Sequence, residues 1–341
     1  MKKIIVVFSI VLMGLYSGSD VYSQVTKAGT TSGQFLKIGL GARATAMGDA
    51  SVAVVNDVNA IYWNPAGLSH LTRNEVTLQH IEWLADISYD FVGMGVPLGP
   101  NVGSFALFAM SLGIPDDKVR TVFEPEGTGE FFSASSVALG ISYSRFLTDR
   151  FSVGINAKYI HERIWSMAAS AVAVDIGTFF RSKYRNLKIA VCLSNFGTKM
   201  QYQGRANLLF VDPDVTIEGN NDRIRAALEM DKWDLPLLFR VGFSIDPIES
   251  EHHRLTLAMD AVHPSDNREY INSGVEYGLY NVLFLRGGFR GLGISAAEGG
   301  VTLGSGLQYT ILGNVTLKLD YAYADYNRLG SIHRYSLSVV F

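Results

Sequence analysis

The chain has a single cysteine, nine prolines and only 18% charged residues among its 341 positions. Cys192 stands alone, so no internal disulfide forms and a disulfide scaffold is excluded. Charged residues usually make up about 25% of a soluble domain. A net charge of −3 also leaves no concentrated basic surface, which excludes nucleic acid as the main partner. After residue 23 no apolar run approaches the roughly 20 residues a spanning helix needs, so a membrane-embedded mature chain would have to cross with strands.

Catalytic signatures are missing too. There is no G-x-S-x-G elbow. GLGARA (39 to 44) fits the loose G-x-G-x-x-A dinucleotide pattern, but residues 24 to 38 supply no preceding strand or βαβ unit. His252 and His253 are adjacent, a spacing that suits neither a helical nor a strand zinc pair. DPDVTIEGNND (212 to 222) is acidic, yet Thr216 and Ile217 occupy places where a calcium loop needs a ligand and a glycine. It reads as a solvated loop. No enzyme activity, metal or cofactor is expected.

What the sequence does contain is 34 glycines, 16 tyrosines and 19 phenylalanines, a composition for strands and tight turns. Lys2 and Lys3 precede the apolar run IIVVFSIVLMGLY, with small residues at Val21 and Ser23. This pattern predicts an export signal over 1–23, cleaved after Ser23. At the other end, HRYSLSVVF places Tyr335, Leu337, Val339 and Phe341 on one parity and Arg334, Ser336 and Ser338 on the other. That is a strand with one apolar and one polar face, running to the last residue.

The same alternation fits strands at 137–147, 151–161, 171–181, 187–196, 236–245, 253–262, 270–280, 282–290, 301–312 and 315–323. Weaker candidates lie near 75–84, 86–97 and 102–112. With the C-terminal strand the count is about fourteen, an even number as outer-membrane barrels require. Short links at 148–150, 182–186, 246–251 and 312–314 alternate with longer ones near 113–131, 162–170, 198–235, 263–269, 291–299 and 324–331. Short periplasmic turns and long outer loops give that rhythm.

Charge placement tests the reading independently. Lys158, Asp175, Lys188, Arg240, Arg254, Asp260, Glu276, Lys318, Asp320 and Arg334 all take the parity opposite to most of their strand's large apolar residues. An Arg or Lys facing mid-membrane hydrocarbon costs about 2–4 kcal/mol, so these side chains are assigned to the lumen. Arg286 has apolar neighbours of both parities, and Arg145 breaks the rule beside a turn, where it can reach headgroups. Phe146, Phe151, Tyr184, Tyr280 and Phe341 lie beside the short turns, the place of an aromatic girdle. The fold expected is all-β, a transmembrane antiparallel barrel of about fourteen strands in contact with outer-membrane lipids. The expected organisation is 1–23 signal, 24–73 N-terminal plug and 74–341 barrel.

Within that plug, GARATAMGDASVAVVNDVNAIYWNPAGL resembles the N-terminal signature of the PorV/PorQ family of Bacteroidetes outer-membrane proteins, a branch of the FadL-like fourteen-strand barrels. Arg43, Ala44, Met47, Gly48, Asp49, Ala50, Asn59, Trp63, Asn64, Pro65, Ala66, Gly67 and Leu68 carry the resemblance. It implies a role in type IX secretion, with the secretion translocon and the C-terminal signal domains of exported proteins as partners. The barrel class implies that the assembly machinery reads the C-terminal strand. From the residues themselves, NPAGL is a structural turn, with Trp63 and Leu68 packing on the wall. Arg43 and Asp49 are expected to pair with lumen charges. The long 198–235 link carries Tyr202, Leu208, Leu209, Phe210 and Trp233, which make either a partner surface or a cover over the barrel's own mouth. The alternative function is a FadL-like channel for hydrophobic small molecules, which the charged lumen disfavours.

Overall fold

The computed structural model describes residues 27–99, 101–213, 216, 223–294, 300–311 and 314–341. The expected export signal and most of the acidic 212–222 stretch lie outside them. Fourteen long antiparallel strands form one sheet. They are β1 Glu75–Glu82, β2 Ser88–Pro97, β3 Ser104–Gly113, β4 Ala134–Thr148, β5 Phe151–Ile164, β6 Met167–Arg181 and β7 Lys188–Gly197. The second half comprises β8 Leu238–Glu249, β9 His253–Pro264, β10 Tyr270–Leu279, β11 Leu283–Leu292, β12 Val301–Ile311, β13 Val315–Asp325 and β14 Ser331–Val340. Each strand pairs with the next, and β1 closes on β14 from Glu75 opposite Val340 to Ile81 opposite Arg334. The Phe341 amide donates to the Asn74 carbonyl at 2.9 Å, so the chain is paired to its last residue. No edge is left open in lipid, where an unpaired backbone group would cost several kcal/mol.

The two faces of the wall differ as the alternation requires. Leu139, Ile141, Ile155, Val172 and Ile176 project outward and are exposed, while Asn156, Asp175, Asp260, Glu276 and Arg334 are buried. β9 reads the membrane depth. Its outward residues run His253, Leu255, Leu257, Met259, Ala261, His263, and only the end members are charged or strongly polar. Ten residues span about 33 Å of strand. At a tilt of about 40° this gives a band about 25 Å tall, the height of an outer-membrane apolar belt.

Two boundaries differ from the sequence reading. The expected long link at 162–170 is a two-residue turn, Trp165–Ser166, because β5 runs on to Ile164 and β6 begins at Met167. Trp165 takes the left-handed turn conformation there, at φ 51°. The second and third strands, β2 and β3, also hid their alternation for a physical reason. Their inward positions are themselves apolar, with Tyr89, Phe91, Ala106, Phe108 and Met110 all buried against the barrel's contents. The interior is therefore uneven: apolar along β2 and β3, mixed along β1 and β4–β6 where Glu75, Lys158, Glu162 and Asp175 are buried, and most densely charged along β8–β14.

What fills it is the segment from Gln34 to Leu71, folded as two short helices, α1 Ala42–Ala46 and α2 Ala60–Trp63, with 3-10 turns at Gln34–Lys37 and Pro65–His70. Such short elements cannot hold themselves together, and their unpaired amides bond to the wall instead. The Gly41 amide donates to Gln79 Oε1 at 2.6 Å and the Ala42 amide to Ser336 Oγ at 2.9 Å. Asp260 Oδ2 accepts from the amides of Ser51 and Val52 at 2.6 and 2.9 Å.

Candidate functional site

The site has three layers along the barrel axis: the plug on its glycine seats, the charge network beside it, and the loops above. The seats arise where the plug backbone reaches the sheet. Gly274, Gly288 and Gly304 lie on three consecutive strands, β10 to β12, and an added Cβ at any of them would overlap Ala46, Met47 or Gly48. Gly48 takes φ 64° and itself lies so close to the wall that a Cβ would sit 2.7 Å from the Phe289 nitrogen and the Ser273 carbonyl. Gly154 and Gly177 give a second seat, where a Cβ would overlap Pro65 or Asn64.

On that second seat the NPAGL turn is a fastening. Asn64 Nδ2 donates to the carbonyls of Val52 (3.2 Å) and Thr178 (3.0 Å), while its Oδ1 accepts the Ala66 amide at 3.1 Å and caps the 3-10 turn. Pro65 opens the turn without wasting an amide. Serines 144 and 152 of the wall both donate to the Ala66 carbonyl, each at 3.1 Å. Trp63 donates to the Leu40 carbonyl at 2.7 Å, Leu68 is fully buried, and Gly67 passes too close to the Val55 carbonyl to carry a side chain.

The charge network centres on Glu276. Its carboxylate takes two bonds from Arg43, at 2.8 and 3.0 Å, one from Arg254 at 3.0 Å and one from Arg286 at 2.7 Å. Arg286 continues to Asp320 at 2.6 Å, and Lys318 reaches Glu75 at 2.8 Å. Apart from these, Lys158 pairs with Asp175 at 2.8 Å and Lys188 with Asp246 at 2.8 Å. Asp49 meets Arg290 at 3.4 Å. Arg240 lies over the rings of Tyr62 and Trp63, 5.2 and 5.3 Å from their centroids. Arg334 stacks on Trp83 at 5.4 Å. Glu75, Arg286 and Arg290 escaped sequence reasoning. Glu75 opens one of the weaker strand candidates, and Arg286 has apolar neighbours of both parities.

At the loop end, a strap before the plug is latched to the barrel by two carboxylates. Asp266, between β9 and β10, accepts from Thr31 (2.8 Å), Gln34 (2.8 Å) and Lys37 (2.9 Å). Glu162, near the end of β5, accepts from the Gly33 amide at 3.3 Å and from the Tyr202 hydroxyl at 2.8 Å. Burial alone would raise the Asp266 carboxyl, but the bonds from Gln34, Lys37 and Thr31 outweigh it and hold it below the usual carboxylate range. The latch is thus at full strength once the pH is above the range, about pH 4, where a free aspartate ionises, and it fades as the pH falls through the lower folded value. Protease resistance of the strap is expected to be flat from about pH 5 to pH 8. Asp266→Asn removes the ion pair, and trypsin should then cut after Lys37 in the folded barrel.

The long link between β7 and β8 divides in two. Met200 and Leu235 are buried and Tyr202 packs on the apolar cluster, so this part covers the barrel's own mouth. Leu208–Val211 and Ile224–Ala227 pair as a projecting hairpin instead. It exposes Leu208 and Phe210, the latter 65% exposed, with Leu209 half-buried between them. Trp233 is partly exposed at its base, where it pairs with Met200. A second projection, between β3 and β4, pairs Asp117–Lys118 with Phe131–Phe132 and carries Phe123 at 95% exposure, which the sequence reading did not single out. Among the described residues no group of side chains is arranged to hold a metal ion.

The sequence model of the family described as "Type IX secretion system protein PorV" matches residues 21–232. No curated protein matches the chain. Among solved structures, a Pseudomonas aeruginosa FadL homologue is similar at TM-score 0.52 and 11% identity, covering 86% of this chain and 95% of that one. The CymD monoaromatic hydrocarbon channel gives 0.53 and 11%, covering 89% and 97%. The Ralstonia pickettii toluene transporter TbuX gives 0.52 and 12%, with the same coverage, 89% and 97%. At such identities the likeness establishes the barrel fold and nothing finer.

Proposed function

Since the chain belongs to the PorV family of type IX secretion system proteins, we propose that it is a non-enzymatic outer-membrane component of that system, a plugged barrel that works through its outer loops. Its partners in this reading are the secretion translocon and the C-terminal signal domains of exported proteins. The observation that carries it is the contrast between a lumen filled by a plug on glycine seats and two hairpins that hold Phe123, Leu208 and Phe210 out in water. Apolar side chains displayed on loops above a plug-filled barrel suit capture of a partner better than conduction.

The alternative is a channel for hydrophobic small molecules, and the apolar inner face of β2 and β3 favours it more than sequence reading allowed. That surface is nevertheless packed against Phe35, Leu36, Tyr62 and Trp63 of the plug segment. Purification of the intact protein from detergent separates the two readings. Recovery of a translocon or of exported signal domains is expected. Loss of that recovery by at least about tenfold should follow when Leu208, Phe210 and Ile224 are changed to Ser, because each buried anchor contributes about 1 kcal/mol or more. A bound apolar small molecule, together with lost uptake on deletion, would overturn the docking function.

A further inference from the structure

The short-turn end of β4–β7 carries a charge pattern that neither the plug nor the loops use. Arg145, Arg150, Arg181, Lys183 and Arg185 lie in or beside two consecutive turns, with Asp149 the sole acid among them. None of the five forms an ion pair among the described residues, whereas nearby Lys188 is paired with Asp246. The Arg181 amide donates to the Arg150 carbonyl at 2.9 Å, which sets the two neighbours side by side. Arg185 stacks on exposed Tyr184, 5.6 Å from its centroid. The next turn, between β8 and β9, is acidic and bounds the patch on that side: Glu249 accepts from Asn186 at 2.7 Å, with Glu251 beyond it.

Arg145 settles the kind of ligand. It points out of the wall opposite Val153. Exposed Tyr143, Leu147 and Ile155 share that outer face. It lies about 10 Å of strand from the turn, close enough to snorkel to the headgroup level. The result is a group of cations at the water boundary beneath an apolar wall, the two halves of an amphiphile's requirement. We propose that this turn end binds an anionic phospholipid of the periplasmic leaflet, its phosphodiester on Arg145 and Arg150 and its acyl chains along β4–β6. This rests on the outer-membrane placement and not on the docking role. Guanidinium forks match phosphate oxygens. A zwitterionic headgroup brings its own ammonium and gains less from the patch.

Native mass spectrometry of the full barrel in detergent, titrated with phosphatidylglycerol and phosphatidylethanolamine of equal chain length, tests the site. Phosphatidylglycerol should be retained about tenfold better, the worth of one charge-assisted bond. Arg145→Gln with Arg150→Gln should reduce it to the phosphatidylethanolamine level, while the Lys pair of substitutions keeps most of it. Heat-modifiable mobility reports folding. Should the Gln pair fail to fold, Lys183→Gln with Arg185→Gln, both in an exposed turn, should still lower retention several-fold. Equal retention of the two lipids, unchanged retention in the folded variants, or full competition by water-soluble glycerol phosphate overturns the proposal.

Discussion

Glu276→Gln is expected to lower the stability of the folded barrel by about 3–5 kcal/mol, the usual cost of removing one member of a buried ion network. The reason is geometric. One carboxylate, 1% exposed, serves Arg43 of the plug together with Arg254 of β9 and Arg286 of β11. The amide retains the shape and one acceptor but none of the charge. Arg286 would keep Asp320, and Arg43 would keep the weaker contact to Asp57 at 3.7 Å. Arg254 has no other carboxylate within reach among the described residues. The midpoint of heat modifiability on gels measures the effect. Lys199→Met is the comparison, since its pair with Asp234 is exposed on both sides and its loss should cost less. Equal effects of the two would show that Glu276 has no organising role.

Gly288→Val should abolish the folded form outright. The new Cβ would overlap the Gly48 nitrogen and the Met47 carbonyl carbon, and both belong to backbone that cannot rotate away. Gly274 is directly opposite across the β10–β11 ladder, so the seam has no slack to give. Overpacking of an ordinary core costs about 1–3 kcal/mol because side chains shift, but here the plug itself would have to leave. Gly287 is the control one residue away. It faces outward, and a Cβ there meets nothing nearer than Leu303 at 3.6 Å, so Gly287→Val should fold normally. A heat-modifiable band in the first variant, or its absence in the second, contradicts the seating.

These two positions also show what was legible beforehand. Charged residues announce their face by parity, because lipid tolerates none at mid-depth, and Glu276, Asp260 and Lys158 were read from that rule alone. Glycine carries no such signal. Gly288 and Gly287 look alike in the sequence, and only the approach of residues 46 to 48 distinguishes them. The turn at Trp165–Ser166 was obscured for another reason: Arg163 lies on the outer face above the apolar belt, where charge no longer marks the end of a strand. The latch on Asp266 joins residues more than 200 positions apart, beyond the range of any local pattern. The interior was legible only where it is charged, since an apolar lumen and an apolar outer wall leave β2 and β3 without contrast.

The strap at Thr31 is fastened to the loop side, whereas β1 begins on the opposite rim, so the polypeptide between them crosses the cylinder once from top to bottom. Rings as bulky as Tyr62 and Trp63 are buried there in one cluster with Tyr89, Phe91 and Phe108 of the wall. Shutting the β1–β14 joint and seating the stopper are therefore expected to be one cooperative event.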